Sequence, residues 1–133
     1  MSGHWRVTVR GQFCAAHALR NYNGKCERAH GHNFAVEASV EGERLDPATG
    51  ILLDFGILKK ALRDILACLD HTDLNELAFF RDINPSSENL ARYIAARLEE
   101  FLAACPDSQA ALARLTAVSV SEKESQTATW LPD

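Results

Sequence analysis

His30-Gly31-His32-Asn33-Phe34-Ala35-Val36-Glu37-Ala38-Ser39-Val40-Glu41 decides how this chain is read. Phe34, Val36, Ala38 and Val40 fall on one face of an extended segment. Asn33, Glu37, Ser39 and Glu41 fall mostly on the other, the period-two pattern of a half-buried strand. His30 and His32 share the parity of the apolar set, so a strand that builds the core also carries two imidazoles on one side. Upstream, Trp5, Val7, Val9, Phe13 and Ala15 alternate with Arg6, Thr8, Arg10 and Gln12, predicting a second strand whose parity places His17 on the buried side. Gly11 interrupts that run and reads as a candidate bulge, which would reverse the parity beyond it and turn His17 outward.

Turn residues at Asn21 to Gly24 separate the two strands, and Gly42 with Asp46-Pro47-Ala48-Thr49-Gly50 ends the second. The period then changes. Leu58, Leu62, Ile65, Leu66 and Leu69 recur at helical spacing, predicting an amphipathic helix over 55–69. A second helix is predicted over 87–104, with Leu90, Ile94, Leu98, Phe101 and Leu102 inward and cap chemistry at Asn84-Pro85-Ser86-Ser87-Glu88. Alternation returns over 115–122 and 127–131. The predicted order is strand, strand, helix, helix, strand, strand. It implies an α+β fold in which a four-stranded antiparallel sheet carries two helices on one face. Such a sheet leaves two edges open, which natural proteins cover or pair, so assembly through the edges is expected.

The chain has 133 residues, 47% hydrophobic and 24% charged, within the range of one domain, and no stretch between 1 and 133 has linker composition. Fourteen Lys and Arg against 18 Asp and Glu give a net charge of -4, which argues against nucleic acid or an anionic membrane as partner. No long apolar run or leader-like region is present, and Cys14, Cys26, Cys68 and Cys105 form no C-x-x-C pair. A soluble cytoplasmic protein with reduced thiols is the expectation.

His17, His30 and His32 could bring three neutral nitrogens to one ion. Imidazole suits zinc, and three protein ligands with an open fourth position is the catalytic pattern. The competing reading is two loop-end histidines bonded to backbone and one core histidine. Cys26, beside Lys25 and Arg28, has surroundings that favour a thiolate and could be nucleophile, base or ligand; as a fourth ligand it would make the site structural. Asp70-His71 follows the first helix, where it is either a proton relay or simply a helix terminus. Glu122 shares parity with Val118 and Val120. It either faces the covered side, where it needs donors such as those of a guanidinium or an aminopyrimidine, or reaches the strand's solvated rim.

Phe13-x-Ala15-Ala16-His17, Cys26-x-x-x-His30-Gly31-His32, Asp54-Phe55-x-x-Leu58-Lys59, Leu69-Asp70-His71-x-x-Leu74-Asn75, Pro85-Ser86-Ser87-Glu88 and Val118-x-Val120-x-Glu122 together resemble the 6-pyruvoyl-tetrahydropterin synthase family over nearly the whole chain. The resemblance implies the tunnelling T-fold, with sheets joined in trimers that stack as homohexamers. It implies Zn2+ on His17, His30 and His32, Cys26 as general base or acid, and Asp70 with His71 as proton relay. Glu122 would anchor the aminopyrimidine edge of a pterin, with Ser86 and Ser87 near it. The implied substrate is 7,8-dihydroneopterin triphosphate. The cysteine-to-histidine spacing is most similar to the family's bacterial carboxy-forming branch, in the 7-deazaguanine and queuosine pathway, which loses triphosphate and acetaldehyde. The pyruvoyl-forming branch and a non-catalytic zinc or pterin binder are the alternatives.

Overall fold

The computed structural model describes residues 3–24 and 27–133. Two thirteen-residue strands, β1 (Trp5–His17) and β2 (His30–Gly42), form an antiparallel ladder that runs without a register shift from Trp5↔Gly42 to His17↔His30. The bulge expected at Gly11 is therefore absent. A Cβ there would meet Leu66 Cδ1 at 2.8 Å and Leu62 Cδ2 at 3.4 Å, so the glycine lets a helix lie close on the strand. With no bulge the parity persists, and His17 lies inward at 1% exposure.

The helices are α1 (Phe55–Ala67) and α2 (Ser87–Ala104). Asp54 caps α1 by accepting from the Gly56 N–H. Ser86 caps α2 by accepting from the Asn89 N–H. The first helix ends two residues short of the predicted Leu69, where the backbone tightens through Cys68 N–H to Ile65 and Leu69 N–H to Leu66. Between the helices, β3 (Thr72–Asp73) pairs parallel with Ala15–Ala16 of β1. The chain then closes with β4 (Arg114–Lys123) and β5 (Gln126–Trp130).

The sheet thus has five strands in the order β3-β1-β2-β4-β5 and is mixed, correcting the expected four-stranded antiparallel sheet and its strand-strand-helix-helix-strand-strand sequence. Two residues of parallel strand contain no period to read. The helices do lie against one face. Phe13, Phe34, Val36, Ala38, Val118 and Val120 are buried with Leu58, Leu62 and Leu66 of α1 and Leu90, Ile94 and Leu98 of α2. Phe13 and Phe34, opposite one another in the ladder, stack with centroids 4.8 Å apart.

The opposite face is ruled by cross-strand polar pairs: Arg6 to Glu41, Thr8 to Ser39, Arg10 to Glu37, Ser119 to Thr129 and Ser121 to Thr127. Glu41, expected on a solvated face, is only 8% exposed. It accepts from Arg6 and pairs with His4. Among the described residues, no helix is long and apolar enough to cross a membrane.

Candidate metal centre

The β1–β2 ladder ends on the His17↔His30 pair, with His32 two residues further along the same face. One hairpin therefore brings three imidazoles together. One nitrogen from each can be chosen so that all three lie within 4.8 Å of one another. The cluster is graded, with His17 buried, His32 half-buried and His30 exposed, so it opens toward solvent on the His30 side.

Two backbone carbonyls orient the rings. His17 Nδ1 donates to the Pro85 carbonyl at 2.7 Å, and His30 Nδ1 donates to that of Arg28 at 2.9 Å. Each bond leaves Nε2 as the lone-pair nitrogen, the arrangement by which outer partners fix a metal-ligating histidine. His17 Nε2 is buried and has no hydrogen-bond partner. A buried acceptor without a partner is costly, and a cation at the cluster satisfies it. Burial lowers the His32 pKa below its ordinary value, with Glu122 opposing, so neutral imidazole is favoured. The donor set fits a borderline cation such as zinc.

Glu122 turns inward at the end of β4. Its Oε1 lies 3.4 Å from His17 Nε2 and its Oε2 3.5 Å from His32 Nε2. It also lines a cavity of about 250 Å³ with Leu19, Ser86, Ser87, Gln126 and Thr127. Glu122, Ser86 and Ser87 thus border one cavity, and the Glu122 carboxylate, 26% exposed, stands between that cavity and the histidines.

Asp70 and His71 are bonded to each other, with His71 Nδ1 to Asp70 Oδ2 at 2.8 Å. Asp70 Oδ1 accepts from the Cys14 N–H at 2.8 Å, which holds its pKa below the usual carboxylate value, and the His71 hydrogen bond adds to this. His71 has φ 57°, a left-handed conformation uncommon for a residue with a Cβ and costly unless its surroundings impose it. The constraint here is the edge of the sheet, since the His71 N–H donates to the Cys14 carbonyl and β3 starts at the next residue. The ring is exposed and, with His32, Cys14 and Asn33, borders a separate open depression on the sheet. The dyad is not part of the three-nitrogen cluster. Cys26 lies outside the described residues.

The sequence gives no sign of the Pro85 and Arg28 carbonyls, because backbone acceptors have no side-chain signature. Asn75 and Asn84 were visible only as a motif member and a cap residue. Asn75 accepts from the Ala18 N–H and donates to its carbonyl, and Asn84 does the same for Arg20. These two amides pin the segment that leaves His17, much as a neighbouring strand would.

A convergent imidazole cluster thus stands beside a polar cavity, on a mixed sheet backed by two helices. The profile of the 6-pyruvoyl tetrahydropterin synthase family matches residues 6–132, and the chain belongs to that family. It is 38% identical over 100 residues to a 6-carboxy-5,6,7,8-tetrahydropterin synthase of Synechocystis sp., covering 72% of this chain and 76% of that protein. It is 37% identical over 97 residues to a dihydroneopterin monophosphate aldolase of Pyrococcus furiosus, covering 73% of this chain and 77% of that protein. The solved 6-pyruvoyl tetrahydropterin synthase of Caenorhabditis elegans has the same fold. Its TM-score is 0.79 at 25% identity, covering 98% of this chain and 97% of that one.

Proposed function

We propose that this chain is a zinc-dependent lyase that converts 7,8-dihydroneopterin triphosphate to 6-carboxy-5,6,7,8-tetrahydropterin, releasing triphosphate and acetaldehyde, in a cytoplasmic homohexamer. The observation that carries this reading is the His17–His30–His32 cluster, with its two backbone-fixed tautomers and one buried nitrogen without a partner, adjoining the Glu122–Ser86–Ser87 cavity. The relatives named above make a pterin the small molecule to test.

His17, His30 and His32 hold the ion, which supplies Lewis-acid stabilisation of charge that develops on the substrate's side-chain oxygens. Two donors of the aminopyrimidine edge meet the two oxygens of Glu122, the bidentate geometry in which a carboxylate binds best. Ser86 and Ser87 offer hydroxyls on the same cavity wall. Cys26 removes or returns the side-chain proton as a general base or acid. Asp70 keeps a proton on His71 Nδ1, leaving Nε2 as the nitrogen free to exchange one, on the depression that His71 shares with His32 of the metal cluster. A carboxylate held ionised is suited to that orienting role and to stabilising the imidazolium that forms.

The deciding experiment incubates zinc-loaded protein with dihydroneopterin triphosphate, follows the products by mass, and assays acetaldehyde. The expected products are the carboxy-pterin and one acetaldehyde per turnover. Pyruvoyl-pterin without acetaldehyde would assign the chain to the other branch. Pterin binding without turnover would make it a binding protein.

A further inference from the structure

The buried His17 ring lies between two acceptors. Its Nδ1 is 2.7 Å from the Pro85 carbonyl and its Nε2 is 3.4 Å from Glu122 Oε1, and a neutral imidazole has one proton to give. A proton on Nε2, turned toward Glu122, would occupy the lone pair that this nitrogen otherwise offers the cluster. Where the Pro85 carbonyl stands therefore decides whether His17 can be a ligand at all.

The position of that carbonyl is set by the residue before it. The proline ring fixes φ, so the Pro85 carbonyl follows the Asn84–Pro85 peptide through a single rotatable torsion. That peptide is held from both sides. The Asn84 amide accepts from the Arg20 N–H at 2.7 Å and donates to the Arg20 carbonyl at 2.8 Å, while the Asn84 carbonyl accepts from the Asn89 amide at 2.9 Å. Asn75 makes the same pair of bonds to Ala18, at 2.8 and 2.9 Å, but from the turn that follows β3. Leu19, between the two clamped residues, lines the cavity, as do Ser86 and Ser87, which follow Pro85 directly.

We infer that Asn84 is the positioning residue of the His17 ring: by tying its own segment to Arg20 it sets the Pro85 carbonyl that keeps the His17 proton on Nδ1 and Nε2 open to an ion. The segment that carries His17 onward and the segment that orients its ring are thereby joined at one amide, and both contribute to the same cavity wall. The bearing on an ion rests on the metal reading above; the tautomer does not.

Proton–nitrogen NMR correlation spectra of the full chain, stripped of metal and held at about pH 8.5, above the ordinary histidine range, distinguish the two tautomers. The His17 signals are those lost in His17→Gln. The wild-type ring should carry its proton on Nδ1. Asn84→Ala should move most of it to Nε2 and weaken zinc binding, measured by chelator competition, about tenfold or more. Asn89→Asp removes the donor to the Asn84 carbonyl while placing an acidic side chain in the first turn of α2, where it suits the helix, and should shift both readouts the same way. Asn75→Ala takes two bonds from the same outgoing segment and should leave the tautomer unchanged. A wild-type ring protonated on Nε2 overturns the proposal without any variant. So does a tautomer that Asn84→Ala leaves in place, or one that Asn75→Ala shifts equally, which would be general loosening. If Asn84→Ala does not fold, Asn89→Asp decides, and an unchanged tautomer in it overturns the role. Tautomers that behave as expected in a wild-type chain that binds no zinc uphold Asn84 and overturn the metal reading instead.

Discussion

Asp70 does two jobs with two oxygens. One oxygen accepts from the Cys14 backbone and the other holds the His71 ring, so the dyad is fixed to the sheet edge rather than to its own loop. Asp70→Asn keeps the shape but loses the charge that orients and supports His71. It is expected to lower kcat by about 10²- to 10⁴-fold while leaving metal content unchanged, a split that parallel turnover and metal measurements would expose. Cys26→Ala is expected to keep zinc and pterin affinity and lose most turnover. Loss of zinc in that variant would instead place the thiol in the metal's ligand set. The three histidines were legible because a strand's parity and an H-x-H pair suffice to put donors on one side. The approach of Glu122 to His17 was not, since it depends on how far β4 extends past its partner, a register no local pattern records.

At the scale of elements, alternation located β1, β2, β4 and β5, and helical spacing located both helices, because each buries one face against the same core. The misplacements have local causes. Gly11 has the signature of a bulge and of a close approach alike, and only the position of α1 tells them apart. Glu41 was assigned to water by parity, yet this end of β2 is covered, and a hydrogen bond from Thr116 together with Arg6 and His4 holds its carboxyl at about 2. A carboxyl lowered from its ordinary value contributes stability that is fully present above about pH 4.5 and is lost as pH falls toward 2. Urea unfolding midpoints should therefore drop more steeply between pH 5 and pH 2 in the wild type than in Glu41→Gln, and the two profiles should run parallel above pH 6. Parallel profiles throughout would remove Glu41 as the source of acid lability.

For the molecule as a whole, the sheet ends on β5 at one side, and on the other β3 covers only Ala15 and Ala16 of the long β1. The rest of that edge, from Trp5 onward, has no strand beside it among the described residues. Unpaired edges of this length invite pairing with another copy. Light scattering at micromolar concentration is expected to give several times the monomer mass, and a persistent monomer with full activity would contradict the assembly.

The hairpin of β1 and β2 has a consequence in time as well as in space. All three imidazoles belong to it, whereas Pro85, which orients His17, is 68 residues away along the chain. Short loops close sooner than long ones, so the donor set can form before the helices dock and before β4 joins the sheet. On the metal reading proposed above, an ion captured at that stage would hold β1 and β2 in register before the rest of the chain docks.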